Sequence, residues 1–434
     1  MRQHVLRRVT PEWMGRDLNL LMGARTSMSM VRALAGIVTP LYLTASGYSA
    51  VELGLLFTVV AATGAVISIA IGVFTPRFGH KPFLILLPTL TGVAGVAFGL
   101  TASPLPIFLF AALGTFGRGE GGAGGNVGPY YPAEHAMLAA LAPPERRTAV
   151  FARFTLAAAL GGLAGAQLAW LPDIAPAFGL TGTSAYHPAF FVIAALAFLT
   201  GGLTIPIADP SPAPAGRRVL ALPQRSRGLF WRLAVTNSVN GVESAFFGPF
   251  LAYWFAQRYG VGPGEIGFLL AAVNLATLLS NLGADRVAQR LGLVRGISLA
   301  RGFQAALLAL MALAPSFWLA GALYLLRQLA NRVQGPLKDS YVIGMAAPDE
   351  RAAVVALSNL PAQTTGIGGQ IAAGYAFAYL PLAIPFELSA LAQGLNAVLF
   401  YLFFRHWLPP EERPPEPTGR VGTAESPRGA SIRS

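Results

Sequence analysis

The chain contains no cysteine, only two lysines and few charged residues of any kind. The lack of cysteine excludes disulfides, thiolate nucleophiles and cysteine-ligated metals. Charged residues make up 12% of the sequence, against about 25% in soluble domains, while hydrophobic residues make up 54%. Most of the surface must therefore face something other than water. The net charge of +12 would suggest a nucleic-acid partner in a soluble protein, and it needs another explanation here.

Apolar runs of 18 or more residues recur from end to end, each long enough to cross a bilayer core about 30 Å thick. We predict twelve such spans. Basic residues alternate between the loops: Arg77 and Lys81 lie in the second loop and Arg286 and Arg290 in the eighth, while the intervening loops are nearly bare. The positive-inside rule then places both termini in the cytoplasm. The arginines are explained by orientation, so we expect no nucleic-acid partner. The first twenty residues lack the pattern of a signal peptide.

The sequence repeats itself at about half its length. GYSAVELGLL at 47–56 recurs as GVGPGEIGFL at 260–269, a shift of 260 − 47 = 213. PPER at 143–146 recurs as PDER at 348–351, a shift of 348 − 143 = 205. Two copies of one fold unit in an apolar chain are typical of secondary transporters. The expected fold is an all-α integral membrane protein with twelve transmembrane helices in two pseudo-symmetric six-helix bundles.

These features divide the chain into five predicted segments. A cytoplasmic N-terminal segment, 1–17, precedes an N-terminal six-helix bundle, 18–208. A cytoplasmic linker rich in proline, serine and arginine, 209–228, leads to the C-terminal six-helix bundle, 229–408. The tail, 409–434, is polar and proline-rich, and we expect it to be disordered.

The loop between predicted spans two and three carries the most specific motif, GVFTPRFGHK at 72–81. It is similar to the pattern G-x-x-x-D-R-x-G-R-R/K of the major facilitator superfamily, which the chain resembles over nearly its whole length except the tail. The matching positions are Gly72, Arg77, Gly79 and Lys81. Pro76 replaces the aspartate, and His80 replaces a basic residue.

The resemblance implies that this loop helps to latch the cytoplasmic side. Because the aspartate is missing, we expect Asp285 in the second half to compensate, beside Arg290, the repeat equivalent of Arg77. The repeat also aligns Glu134 with Asp339 near the cytoplasmic ends of spans four and ten, where we interpret both as gate residues. A partial match to R-x-x-x-G-x-G, which proton-coupled members of the family often carry, begins at Arg118.

Ionisable residues near the middle of a span cost roughly 2.5–3.5 kcal/mol on insertion scales and usually face a cavity. Arg32 lies about 21 Å along span one, and Glu243 lies at the same depth in span seven, its repeat equivalent. We predict that both face a central cavity, as a pair or as separate ligands of substrate and proton. The alternative is a static ion pair between the halves. Arg25, one heptad before Arg32, is interpreted as reaching towards the membrane surface.

Span four holds a glycine-rich stretch at 117–128 with Arg118 and Glu120. It formally contains G-x-G-x-x-G, but no strand precedes it, so a dinucleotide site is rejected. Arg118 is expected to bind an anion or to couple protons, and a local salt bridge to Glu120 is the alternative. Further candidates for substrate binding or coupling are Asn240, Asn274, Arg327, Asn331 and Gln363. For the asparagines, helix–helix hydrogen bonding is an equal alternative.

These observations favour a secondary transporter that moves a small organic solute by alternating access, coupled to protons, with efflux as the working direction. The expected protein is a monomer in the cell (inner) membrane, with the solute, protons and the lipid bilayer as partners and with no metal or cofactor. The alternatives are an uptake symporter for a sugar or organic anion, and a non-transporting receptor or scaffold. The five histidines are scattered and no hydrolase motif occurs, so no enzymatic activity is predicted.

Overall fold

The computed structural model describes residues 14–101, 103–114, 130–209, 223–280, 291–348 and 350–407, and in these ranges every regular element is a helix. Short 3₁₀ turns join some of the helices. The helices of the first half are α1 (Arg16–Ala45), α2 (Ala50–Phe78), α3 (Lys81–Leu100), α4 (Pro104–Leu113), α5 (Tyr130–Leu141), α6 (Arg147–Gln167), α7 (Leu171–Ile174) and α8 (His187–Thr204). Those of the second half are α9 (Arg227–Phe247), α10 (Leu251–Tyr259), α11 (Pro263–Ser280), α12 (Leu293–Leu313), α13 (Phe317–Met345), α14 (Arg351–Ser358), α15 (Leu360–Tyr379) and α16 (Ile384–Phe404).

Two predicted spans are broken rather than continuous. Predicted span seven is split into α9 and α10 at Gly248 and Pro249, because proline lacks the backbone N–H that would continue the hydrogen bonds of the helix. Predicted span eleven is split into α14 and α15 at Asn359, with Pro361 in the first turn of α15. Predicted span four is represented by α4 and α5, and its glycine-rich middle lies outside the described residues.

The first repeated motif is a helix junction that is built in the same way in both halves. Gly47 and Gly260 both adopt left-handed backbone, with φ of 88° and 67°, where a preceding helix ends. Glu52 then accepts from the backbone N–H of Ser49 at 2.7 Å, and Glu265 accepts from that of Gly262 at 2.5 Å. The repeat in the sequence therefore reflects matching helix ends.

The glycines of the same motif sit where the two halves touch. A Cβ on Gly54 of α2 would lie 2.6 Å from the carbonyl oxygen of Gln370 on α15. A Cβ on its repeat equivalent, Gly267 of α11, would collide with the carbonyl oxygen of Ala166 on α6. Only glycine permits such backbone approach, which is how helices pack closely in lipid.

The contacts between the halves concentrate at the end opposite the chain termini. There Phe57 of α2 packs edge-on against Phe250 at 5.4 Å, and Asp173 accepts from the backbone N–H of Gly264 at 2.7 Å. One apolar cluster extends through the first half from Met14 onwards and continues into the second half at Phe250 and Phe377, whereas a separate cluster around Leu233, Tyr341 and Phe400 belongs to the second half alone. Among the described residues, the two halves are therefore held together at this end, chiefly through α2 with α15 and α6 with α11.

Much of the outer surface of the bundle is apolar, as at Val66 and Ile69 on α2 and Leu391 on α16, which are 64–70% exposed. Large apolar surfaces of this kind suit lipid. Among the described residues, seven helical segments are long and apolar enough to cross a membrane, five in the first half and two in the second. The count of twelve spans, the cytoplasmic position of the termini and the five-segment division remain predictions.

Candidate functional site

Two buried charges of the second half form an ion pair. Glu243 of α9 accepts a hydrogen bond from Arg327 Nη2 of α13, and both side chains are buried. The Arg327 guanidinium lies 4.1 Å from the ring centroid of Phe247, one turn beyond Glu243. Ser389 of α16 donates to the backbone carbonyl oxygen of Glu243 at 2.9 Å. Both predicted residues are therefore brought together, with Arg327 in the partner role considered for Arg32.

Arg32 itself is anchored within the first half. It lies half-buried on α1, with its guanidinium 5.6 Å from the ring centroid of Tyr130 on α5. It also interacts favourably with the charge of Glu134, one turn after Tyr130. Arg118 and Glu120, the candidates of predicted span four, lie outside the described residues.

A second ion pair holds α1 to α5. Arg25 Nη1 donates to Glu134 Oε2 at 2.8 Å, and the two residues are 2% and 0% exposed. The Arg25 guanidinium also lies 4.9 Å from the ring centroid of Phe154 on α6. The interpretation of Arg25 as reaching towards the membrane surface is wrong, because a buried carboxylate lies within its reach. Asp339, the repeat equivalent of Glu134, is exposed, so the two do not share an environment.

The second half also buries a polar cluster that the sequence interpretation missed. Arg301 of α12 donates to Asn396 of α16 at 2.7 Å. With the Gln334 amide of α13 turned to face Arg301, its oxygen accepts from Arg301 Nε at 2.9 Å and Nη2 at 3.2 Å. Gln304 lies 2.9 Å from Gln334 and 3.4 Å from Gln393. The pairs Arg301/Gln304 and Gln393/Asn396 are i, i+3 on apolar spans, which was the available signal.

The remaining substrate candidates occupy different environments. Asn240 is half-buried and accepts from Asn396 at 3.4 Å, so it joins the edge of the polar cluster. Asn274 is buried on α11 against Gly162 of α6, at the contact between the halves. Asn331 and Gln363 are exposed.

The loop after α2 has its own acidic contact. Gly79 has a φ of 80°, and Lys81 donates its backbone N–H to Asp209 Oδ2 at 3.2 Å. A side chain on Gly79 would collide with that carboxylate. Asp209, just after α8, thus provides a carboxylate beside the loop. Gly72 and Arg77 are exposed on α2, and Asp285 and Arg290 lie outside the described residues, so the gate itself stays a prediction.

The comparison with protein families decides the class. Residues 21–239 and 233–432 match the Major Facilitator Superfamily. The chain belongs to the Major Facilitator Superfamily. The match spans both halves and agrees with the motif at 72–81 and with the repeat. Membership makes this chain a multi-helix membrane protein of a transporter family.

Similarity to individual proteins is weaker but consistent. An uncharacterized membrane protein of Saccharomyces cerevisiae, YJR124C, is 21% identical over 315 residues, covering 64% of this chain and 69% of its own length. The fold resembles the solved nucleoside transporter NupG, with a TM-score of 0.67, 13% identity and coverage of 90% of this chain and 99% of that one.

Two further structures of the same superfamily fold are similar. A bacterial homolog of the human lysosomal transporter Spinster, solved in an inward-facing and occupied conformation, has a TM-score of 0.66 and 17% identity, covering 89% and 96% of the two chains. A D-xylose–proton symporter has a TM-score of 0.66 and 14% identity, covering 89% and 97%. At these identities the likeness establishes the fold alone.

Proposed function

We propose that this chain is a secondary active transporter that moves a small organic solute across the cell membrane by alternating access. The family supports transport, and the architecture supports alternating access, since two halves that meet at close glycine contacts can rock about those contacts. The end that bears the chain termini faces the cytoplasm if the positive-inside prediction holds. The expected working unit is a monomer.

The observation that carries an energy-coupled mechanism is the buried pair of Glu243 and Arg327. Two charges removed from water are stabilised only while each compensates the other, and losing one partner costs roughly 3–5 kcal/mol. Protonation of Glu243 would neutralise the acid and release Arg327, which changes the preferred packing of α9 against α13. We therefore assign proton coupling to Glu243.

The direction of solute transport depends on whether the solute and the proton cross the membrane in opposite directions or in the same direction. An exporter of the kind expected here releases solute outside while Glu243 takes up an external proton; a symporter carries both inwards. Alternating access permits either. A receptor or scaffold would bind solute without moving it, so flux across a sealed membrane separates all three possibilities.

The test measures proton flux and solute movement in proteoliposomes that contain the purified chain. Organic anions, sugars and amphiphilic drugs are each added to wild type and to Glu243→Gln, which keeps the side-chain shape and removes the charge. Glu52→Gln is the matched control, because it changes an acid that only caps a helix. We expect solute-dependent proton flux that Glu243→Gln abolishes and Glu52→Gln preserves. Solute movement without proton flux, unaltered in Glu243→Gln, would sink the coupling mechanism; no movement of any solute would sink transport.

A further inference from the structure

Arg301 is a buried cation whose hydrogen bonds are all to neutral groups. It is 1% exposed. Its guanidinium bonds to Asn396 and Gln334 and lies 4.8 Å from the ring centroid of Phe400. Its donors are satisfied, but its charge is not balanced by these contacts.

Lys338 repeats this pattern one turn beyond Gln334 on α13. Its Nζ donates to Asn237 Oδ1 of α9 at 2.9 Å, and Asn237 is fixed in turn by donating to the carbonyl oxygen of Ser358 at 2.7 Å. Lys338 as a whole residue is half-buried. Arg301 and Lys338 are close enough to repel each other.

The nearby carboxylates do not neutralise the positive charges of Arg301 and Lys338. Glu243 attracts Arg301 but forms its ion pair with Arg327. Asp339 attracts Lys338 and is exposed. Within the part of the chain that the structure describes, neither Arg301 nor Lys338 has a carboxylate within 4.0 Å. Among the described residues, Glu243 is therefore the one buried carboxylate that acts on Arg301 and Arg327, and the exposed Asp339 is the acid that acts on Lys338.

An unbalanced buried charge is costly, and proteins normally pair it. We propose that the second half carries a subsite for the acidic group of an organic anion, bound by Lys338 and favoured at longer range by Arg301. This rests on the proposed transport function and narrows its substrate class to solutes bearing a carboxylate, sulfonate or phosphate monoester. Asn237 holds the ammonium group in place, and Asn240, one turn further along α9, offers an amide beside the bound anion.

The test compares acids with neutral molecules of the same shape. Thermal unfolding of the detergent-solubilised full chain, free of anionic lipid, is followed with a panel that pairs aromatic and aliphatic carboxylates, sulfonates and phosphate monoesters with their amides or alcohols. At least one acid should stabilise the chain where its neutral counterpart does not. The inference is overturned if no acid exceeds its neutral counterpart.

Variants of Lys338 assign the binding to this subsite. Lys338→Gln keeps a donor for Asn237 and removes the charge, so affinity for the stabilising acid should fall about 10- to 100-fold, while Lys338→Arg retains most of it. Arg405→Gln removes an exposed positive charge after the end of α16, outside the site, and should bind like wild type. Equal affinity of Lys338→Gln and wild type would overturn the inference.

The outcomes separate this inference from transport. Movement of a neutral solute, unchanged in Lys338→Gln, would leave transport in place and remove the anion subsite. Acid binding that depends on Lys338, without flux into vesicles, would leave the subsite and remove transport. Repeating the binding with phosphatidylglycerol added shows whether a lipid headgroup competes for the same position; competition that eliminates acid binding at ordinary lipid content overturns a solute role.

Discussion

The two halves share a fold but bury different chemistry. Apart from Arg25 and Glu134, the buried polar residues of the described first half are serines and threonines. Several, such as Thr91 and Thr200, donate to a carbonyl of their own helix. All seven buried amide side chains of the described residues lie in the second half, which also buries Glu243, Arg301 and Arg327. Among the described residues, the first half therefore buries one ion pair and hydroxyl groups, whereas the second half buries amides and further charges.

This difference explains why hydropathy recognises more membrane spans in the first half than in the second. Five segments of the first half pass as membrane spans by length and hydropathy, but α9 and α13 do not. Those two helices carry Arg232, Glu243, Arg327, Arg332 and Lys338. Both helices that supply the ion pair therefore fail, as expected if intramembrane charges are retained for function. Charge is not the whole reason, because the uncharged α15 also fails and α12, which carries Arg301, passes.

The largest expected effect comes from breaking the ion pair of the second half. Arg327→Ala leaves Glu243 buried without its partner and should lower the free energy of unfolding by about 3–5 kcal/mol. Thermal unfolding in detergent, followed by tryptophan fluorescence, measures it. Arg327→Met combined with Glu243→Gln removes both charges and should recover much of the loss. A loss below about 1 kcal/mol in Arg327→Ala would show that the pair is not buried as described.

The next effect concerns the glycine contact between the halves. Gly54→Ala places a methyl group against the Gln370 carbonyl oxygen, and such overpacking costs about 1–3 kcal/mol. The end at which the halves are held together should therefore open. Spin labels at Ala45→Cys and Leu380→Cys, in a chain with no other cysteine, report the distance across that end.

The matched control is Gly368→Ala on α15, the helix that Gly54 contacts, where a Cβ would meet nothing within 4 Å. It should leave the label distance unchanged, whereas Gly267→Ala, the repeat equivalent of Gly54, should widen it like Gly54→Ala. An unchanged distance in Gly54→Ala would mean that the end tolerates bulk, and that the repeated glycines serve another purpose.

The sequence predicted the class of fold well because its determinants are local. Apolar runs, the repeated Gly–Glu–Gly motif and the loop at 72–81 each depend on a short stretch of chain. The partners of the charges could not be predicted in that way. Arg25 meets Glu134 across 109 residues, and Arg301 meets Asn396 across 95. Which helix faces which depends on packing over the whole bundle, so Glu243 was predicted while its partner was not.

A smaller effect tests the contrast between amides and hydroxyls. Gln334→Leu removes an acceptor of the buried Arg301 guanidinium and should cost about 1–3 kcal/mol of unfolding free energy. Thr200→Val in the first half removes a hydroxyl whose acceptor lies in its own helix, and should cost less than about 1 kcal/mol. Thermal unfolding of both variants decides the matter. Equal losses of unfolding free energy in the two variants would contradict the contrast between the buried amides of the second half and the buried hydroxyls of the first.

The smallest effect tests the matched helix junctions. Ser49→Ala removes the side chain that accepts from the backbone N–H of Glu52, and loss of such a cap costs about 0.5–2 kcal/mol. The second half has Gly262 at the equivalent position and so only half of this capping box. Gly262→Ser should not gain the stability that a serine cap provides, because a Cβ at this position would meet the Asp173 carboxylate at 3.0 Å. A higher unfolding temperature for Gly262→Ser than for wild type would mean that the Asp173 side chain moves to make room. The contact of Asp173 between the halves would then be weaker than its 2.7 Å hydrogen bond to the backbone N–H of Gly264 implies.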